Sequence, residues 1–386
     1  MNRMGRRFSR PTRLARNTAF LLGLLPLQAT AALAAEPTAT YRIQASTSSS
    51  QMPTAPSLGQ MLMGNAAMGS KRQIQRNLEL TLTAPVAPPA KPEASHAIPA
   101  AMAMGAALSL EASGDCTKGE CGSQEIRQAV EQMRSQRVLL YWGCEAKAGA
   151  GQPQTLEASK NPLLIGMEQV LRQDKGEPTA PSTTSTSWPT TGEGRLIPAQ
   201  ASLVGEHLVR SNYAPVIRFP LAQPQDFLAP LNLSSTATGG ATDLSWNRVA
   251  GVVGYRAKAM GQQDPSAPMV LWVSSLGGEE ASHADSSAKL QALVGSGGLL
   301  SAERNQCTIS AEASRALGTA AVTLEGYAGA IRLNPAPGQV VRLERSTMGM
   351  ELVGMPQLEG SGAAGGGEAP AQPAPQPGFG LLKGLF

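Results

Sequence analysis

Aromatic side chains are scarce in this 386-residue sequence: Phe, Trp and Tyr together make up 4% of it. That leaves little from which to build a flat, sugar-stacking face. Histidine is scarcer still, with only His96, His207 and His283. None of the four cysteines stands in a C-x-x-C spacing, and the histidines lie apart from them, which argues against a zinc centre. The local signatures of hydrolases and nucleotide-binding loops, G-x-S-x-G, H-E-x-x-H and G-x-x-x-x-G-K-[ST], are missing, and no motif calls for a cofactor. Beyond residue 35 no apolar run approaches the roughly 20 residues that a helix needs to cross a bilayer.

What is present begins with an export signal. Residues 1–17 hold Arg3, Arg6, Arg7, Arg10, Arg13 and Arg16 and no acid. An apolar stretch from Phe20 to Leu27 follows, then Ala32-Leu33-Ala34, a small-x-small cleavage site before Ala35. The stretch is short and broken by Pro26, so residues 1–34 are expected to be a removable signal peptide rather than an anchor. Arg6-Arg7-Phe8 resembles part of a twin-arginine signal, but the pair lies far from the apolar stretch and the rest of that motif is absent. Sec export to a periplasmic or extracellular location is therefore expected. The whole chain carries +4, and the first 34 residues carry six arginines and no acid, so the remainder is −2. No basic face for a nucleic-acid partner is expected of it. An envelope protein or polymer is the expected class of partner.

An oxidising compartment permits disulfides among Cys116, Cys121, Cys144 and Cys307. Three pairings are possible, and the sequence does not choose among them. In one of them Cys116–Cys121 closes a small polar loop and Cys144–Cys307 ties distant parts of the chain together.

Residues 35–75, rich in Ser, Thr and Gln and then in Met and Gly (Met61 to Gly69), read as linker or disorder. Leu78, Leu80 and Leu82 alternate with Glu79 and Thr81, the period-two pattern of a half-buried strand. Residues 122–136 and 157–172 show helical spacing, and Arg137–Cys144 reads as a buried strand. Residues 176–194 read as a loop, with Trp188 exposed in it, and strands resume at 202–204 and 214–219. From Phe227 short strand candidates arrive in quick succession: 231–233, 242–246, 254–259, 268–274, 307–310, 320–327 and 340–344, interrupted by one helix at 286–294. The expected organisation is a signal (1–34), a linker (35–75), a less regular β or α+β region (76–222), a sandwich (227–356) and a Gly/Ala/Pro-rich disordered tail (357–386).

The run from Thr242 through Leu244, Trp246 and Gly251 to Gly254-Tyr255 resembles the second and third strands of a fibronectin type III domain, and the likeness extends loosely over residues 230–275. It implies a mainly β fold whose C-terminal half is a fibronectin-type-III-like β-sandwich, with Leu244, Trp246 and Tyr255 in its core. Residues 275–306 are longer and more helical than that family's short strands. Leu140-Tyr141-Trp142-Gly143-Cys144, Asp226 to Pro230 and Gly354-Met355-Pro356 are similar to pieces of an uncharacterised family of secreted proteobacterial proteins. That resemblance implies export and no particular chemistry.

Few residues offer chemistry. Ser296, in Gly295-Ser296-Gly297, reads as a turn, since a serine nucleophile needs an activating base. His207 reads as a strand-surface histidine and His283 as part of a solvated acidic loop. Cys144 is a nucleophile only if it is not in a disulfide. The expectation is an exported, soluble binding or structural protein of the envelope, with a hydrolase acting on an envelope polymer as the alternative. No catalytic, cofactor or metal residue is assigned.

Overall fold

The computed structural model describes residues 39–54, 69–112, 137–157, 183–189 and 197–354, apart from 265, 279, 280, 283 and 285. The signal peptide, the Met-rich patch, both helices expected before residue 173, Cys116, Cys121, His283 and the C-terminal tail lie outside the described residues, save for the ends of some of these spans.

The chain is mainly β. Its strands in order are β1 (Ala39–Thr54), β2 (Gly69–Ala84), β3 (Glu93–Ala97), β4 (Ala107–Ala112), β5 (Val138–Trp142), β6 (Gln154–Leu156), β7 (Thr184–Trp188), β8 (Gly205–Ser211) and β9 (Ile217–Leu221). There follow β10 (Leu233–Thr238), β11 (Ala241–Trp246), β12 (Val252–Gly261), β13 (Met269–Val273), β14 (Leu300–Ser301), β15 (Gln306–Ile309), β16 (Ala320–Leu333) and β17 (Gln339–Val353). Two short helices, α1 (Ser287–Gly295) and α2 (Ala311–Leu317), are N-capped by Ser286 and Ser310, whose side chains accept from the Lys289 and Ala313 amides.

One large mixed sheet runs β6-β5-β13-β12-β16-β17-β1-β2-β7-β4-β3-β8-β9, with β14 pairing β12 beside this path. A three-stranded sheet runs β10-β11-β15. Pairings are antiparallel except β1 with β17 and β13 with β5. Because side chains alternate along a strand, the odd-numbered residues of β17 share one face. Val341 and Leu343 enter a first apolar cluster built on β1–β4 and β7–β9, whereas Val353 enters a second, built on β10–β13, β15 and β16. The long strands thus run beneath both cores. In the second core the three-stranded sheet contributes Leu233, Leu244, Trp246, Cys307 and Ile309. The facing strands contribute Tyr255, Ala257, Val270, Trp272, Val322 and Leu324. On the far side of β12 and β16, Leu290 and Leu293 of α1 pack with Val253 and Tyr327.

Two expectations need correction. Residues 39–54 and 69–75, read as linker, are strand β1 and the start of β2. The inward positions of β1 run Ala39, Tyr41, Ile43, Ala45, Thr47 and Ser49, all buried. Small and hydroxylated residues fill the second half of that row, so the apolar alternation fades while the strand continues. Within the presumed loop 176–194, Thr184, Thr186 and Trp188 point inward from β7, and Trp188 is 2% exposed rather than free in solvent. The boundary at 222–227 is crossed from both sides. β5, from the first half, pairs with β13 and sends Tyr141 into the second core, and β17, from the second half, pairs with β1.

Candidate functional site

Two candidate sites stand out in the described structure, a groove and a buried chain of polar side chains. The first is an open groove of about 590 Å³ at the end of β5, lined among others by Trp142, Glu145, Ser274, Leu276, Ser301 and Arg304. Its wall is held by local bonding. The Gln152 side chain accepts from the Trp142 amide at 3.0 Å and donates to the Trp142 carbonyl at 2.9 Å, standing in for a neighbouring strand. The Trp272 indole donates to the Gly143 carbonyl at 3.1 Å, and Arg304 Nε donates to the Gln306 carbonyl at 3.1 Å.

Cys144, also on this groove, is bonded to Cys307 with an S–S distance of 2.04 Å across a separation of 163 residues. That sulfur is therefore no nucleophile, which removes the thiol on which a cysteine hydrolase would depend. Three of the groove's serines serve the fold. Ser275 donates to the Gly298 carbonyl at 2.7 Å, Ser296 donates to the Leu293 carbonyl at 3.1 Å, and the Ser274 hydroxyl accepts from the Ala257 amide at 2.9 Å. One carboxylate and one guanidinium among apolar and hydroxyl groups suit recognition of a polar ligand. An activated serine would need a base beside it, and no histidine is among the described residues that line the groove.

The second place lies inside the first core. His96 on β3 and His207 on β8 are each 1% exposed, which corrects the reading of His207 as a surface residue. On β8, His207 and Val209 share the inward face, so the strand's alternation carries the imidazole into the core. The Tyr41 hydroxyl is 2.8 Å from His96 Nδ1, His96 Nε2 is 2.9 Å from His207 Nδ1, and His207 Nε2 is 2.7 Å from the Leu203 carbonyl. The His207 ring stacks on Phe219, its register partner on β9, with centroids 5.0 Å apart and planes 4° off parallel. Burial, together with the neighbouring His207, pushes His96 down to about 3. Burial also lowers His207, opposed by its bond to the Leu203 carbonyl and by Glu206. The Tyr41 phenol is driven well above its ordinary value by the same desolvation. The pattern of sequence gave no sign that these three residues meet, being 55 and 111 positions apart along the chain.

The residues read from sequence as core are buried: Leu244 is 1%, Trp246 5% and Tyr255 0% exposed. Trp246 and Tyr255 meet edge to face with ring centroids 5.8 Å apart, and the Tyr255 hydroxyl accepts from the Val249 amide at 2.9 Å. Among the described residues no cluster of three or more His, Cys, Asp or Glu side chains forms a metal site. No described helix is long and apolar enough to cross a membrane. No protein-family model matches the chain, and no curated protein matches it in sequence.

Proposed function

We propose that the chain is an exported, soluble protein of a bacterial envelope that binds or braces an envelope protein or polymer, and that residues 227–356 act as its fibronectin-type-III-like module. One observation carries this reading. The three-stranded sheet β10-β11-β15 lies across a shared apolar core from β13-β12-β16-β17. In chain order, the first, second and fifth principal strands of this half stand opposite the fourth, third, sixth and seventh, and two facing sheets of this kind support a sandwich reading. The two stretches the sequence likened to that family's second and third strands are β11 and β12. Helix α1 and the segment before it, where the sequence departs from the family, pack outside the sandwich on β12 and β16. Such modules present loops and edges around a dry interior, so the groove beside Trp142 and Arg304 is the natural place for a ligand; the step from fold to function is by analogy.

Two measurements test the proposal. Fractionation of cells making a C-terminally tagged chain should place it outside the cytoplasm, beginning at Ala35; retention of the uncleaved chain in the cytoplasm refutes export. The purified mature protein should sediment with peptidoglycan sacculi or outer-membrane vesicles, and less so after Trp142→Ala with Arg304→Glu. No retention on either refutes envelope binding, and release of soluble fragments from the sacculi refutes the non-catalytic reading.

A further inference from the structure

Proton counting gives the buried chain of Tyr41, His96 and His207 a single direction. The Leu203 carbonyl has no proton to give, so His207 Nε2 carries one and donates it. A neutral His207 then has a bare Nδ1, which accepts the N–H of His96 Nε2. Neutral His96 in turn has a bare Nδ1, which accepts the Tyr41 hydroxyl. Three bonds use three protons.

A fourth proton has no seat. On His207 Nδ1 it would face the N–H of His96, forcing that ring to shift its own proton to Nδ1. On His96 Nδ1 it would face the Tyr41 O–H, which must then turn away. Either route leaves the Tyr41 proton seeking an acceptor on a side chain that is 0% exposed. A buried imidazolium with a stranded tyrosine hydroxyl beside it costs more than a lost hydrogen bond between neutral groups.

Among the described residues the compensating charge is weak: Glu206 favours the charged form of His207, but from an exposed position, and burial outweighs it. Tyr213 is the other titratable group turned into this core, and its hydroxyl is engaged with the Leu82 carbonyl and Thr186. Glu206, Arg210, Glu93, Glu111 and Arg218 occupy the exposed positions of β8, β3, β4 and β9. Arg42 and Glu79 flank inward residues of β1 and β2, and Arg342 and Glu344 flank inward residues of β17, so all four lie on the opposite face. Asp226 is taken up by the Ser202 hydroxyl at 2.7 Å and by the Leu203 and Phe227 amides at 2.8 and 2.7 Å, and Arg76 and Arg345 lie beside Asp226 and Phe227. The segment 197–204 that supplies the terminal carbonyl contains no ionisable side chain.

We propose that Tyr41, His96 and His207 form an acid-operated latch: mild acid opens β3, β8 and β9 over the first core while the second core, held by Cys144–Cys307, stays closed. The sense follows from linkage. The open chain takes up protons at the ordinary imidazole range near about 6.5, and the closed core refuses them, so the closed state loses stability as the pH falls below that range. Each histidine contributes about an eightfold rise in the opening constant between pH 6 and 5, so the pair gives roughly sixtyfold. Carboxylates, with ordinary values near about 4, titrate mainly below this window.

Hydrogen exchange on the full mature protein at pH 7, 6 and 5, corrected for intrinsic exchange rates, tests the latch. Amides of β3, β8 and β9 should lose protection with that slope while those of β12 and β16 keep theirs. In His96→Gln with His207→Gln the slope should flatten; a slope that persists overturns the proposal. The wild-type protein decides the matter if that variant does not fold. Unchanged protection down to pH 5, or both cores opening in step, overturns the proposal. So does an imidazole C2 proton of His96 or His207 titrating at its ordinary value while the amides stay protected.

Discussion

Thr47 and Thr347 are register partners across the parallel pair β1–β17, and their hydroxyls donate to the consecutive carbonyls of Leu228 and Ala229 at 2.8 and 2.9 Å. Both are 0% exposed. The segment they hold is the crossing between the cores, since Phe227 belongs to the first and Leu228 and Leu231 to the second. Arg345 holds the same segment by donating to the Pro224 and Asp226 carbonyls, and Arg76 lies 4.9 Å over the Phe227 ring. A crossing strand of chain has no ladder of its own, so side chains from the sheet beneath satisfy its carbonyls.

Replacing either threonine by valine keeps the shape and strips the donor. The expected cost is about 1–3 kcal/mol for each, because a buried carbonyl is left without its partner. The two losses should not add, as both act on one segment. Urea midpoints of the single and double variants at neutral pH check this. Midpoints within error of the wild type would mean that the crossing is held by packing alone.

Gly349 makes room for the same crossing. A Cβ built there would meet the Leu231 carbonyl oxygen at 2.6 Å and the Leu233 Cβ at 3.0 Å. The glycine is needed here for close approach of one backbone to another. Gly349→Ala should cost about 1–3 kcal/mol as overpacking against backbone that cannot yield. Gly295→Ala, where nothing lies within 4 Å, is the matched control and should be near neutral. Thermal denaturation of the two proteins side by side gives the comparison.

How far the sequence foretold this arrangement depends on what fills the inward positions. β11 and β12 were readable because Leu244, Trp246 and Tyr255 are large and alternate with polar or small residues. The strand at Leu78, Leu80 and Leu82 was readable for the same reason, as the second half of β2. β1 was not, because Thr47 and Ser49 take the inward places of its second half, and their burial is justified by partners far along the chain. β7 was hidden likewise: Thr184 donates to the Val86 carbonyl at 2.8 Å and Thr186 shares a hydrogen bond with Tyr213 at 2.7 Å. The histidine pair was invisible for a stronger reason. A single imidazole in an alternating strand says nothing of a second one that only the pairing of β3 with β8 brings diagonally beside it, two residues from His96's register partner Val209.

The Cys144–Cys307 bond joins the end of β5 to β15, and so links the large sheet to the three-stranded one. Removing it as Cys144→Ala with Cys307→Ala should lower stability by about 2–4 kcal/mol, since the open chain gains freedom over a long loop. The falling melting temperature of that variant should exceed any change from Cys144→Ser with Cys307→Ser relative to it. A non-reducing peptide map of the wild type should show the Cys144 and Cys307 peptides linked. Separate peptides, or an unchanged melting temperature, would contradict the bond's role.

Trp246 supplies the last test, because its two chemical features make opposite demands. The indole ring is 5% exposed and packs edge to face on Tyr255, while its Nε1 is buried with no hydrogen-bond partner among the described residues. Burying the ring stabilises the second core, and burying the unpaired N–H works against it. Trp246→Phe keeps an aromatic face toward Tyr255 and removes the stranded donor, so it should cost less than about 1.5 kcal/mol despite the lost volume. Trp246→Ala empties the site between the sheets and should cost about 3–5 kcal/mol. Equal losses for the two variants in urea denaturation would mean that the indole nitrogen has a partner in solution. A trivial loss for alanine would mean that the ring does not fill the interior between the sheets.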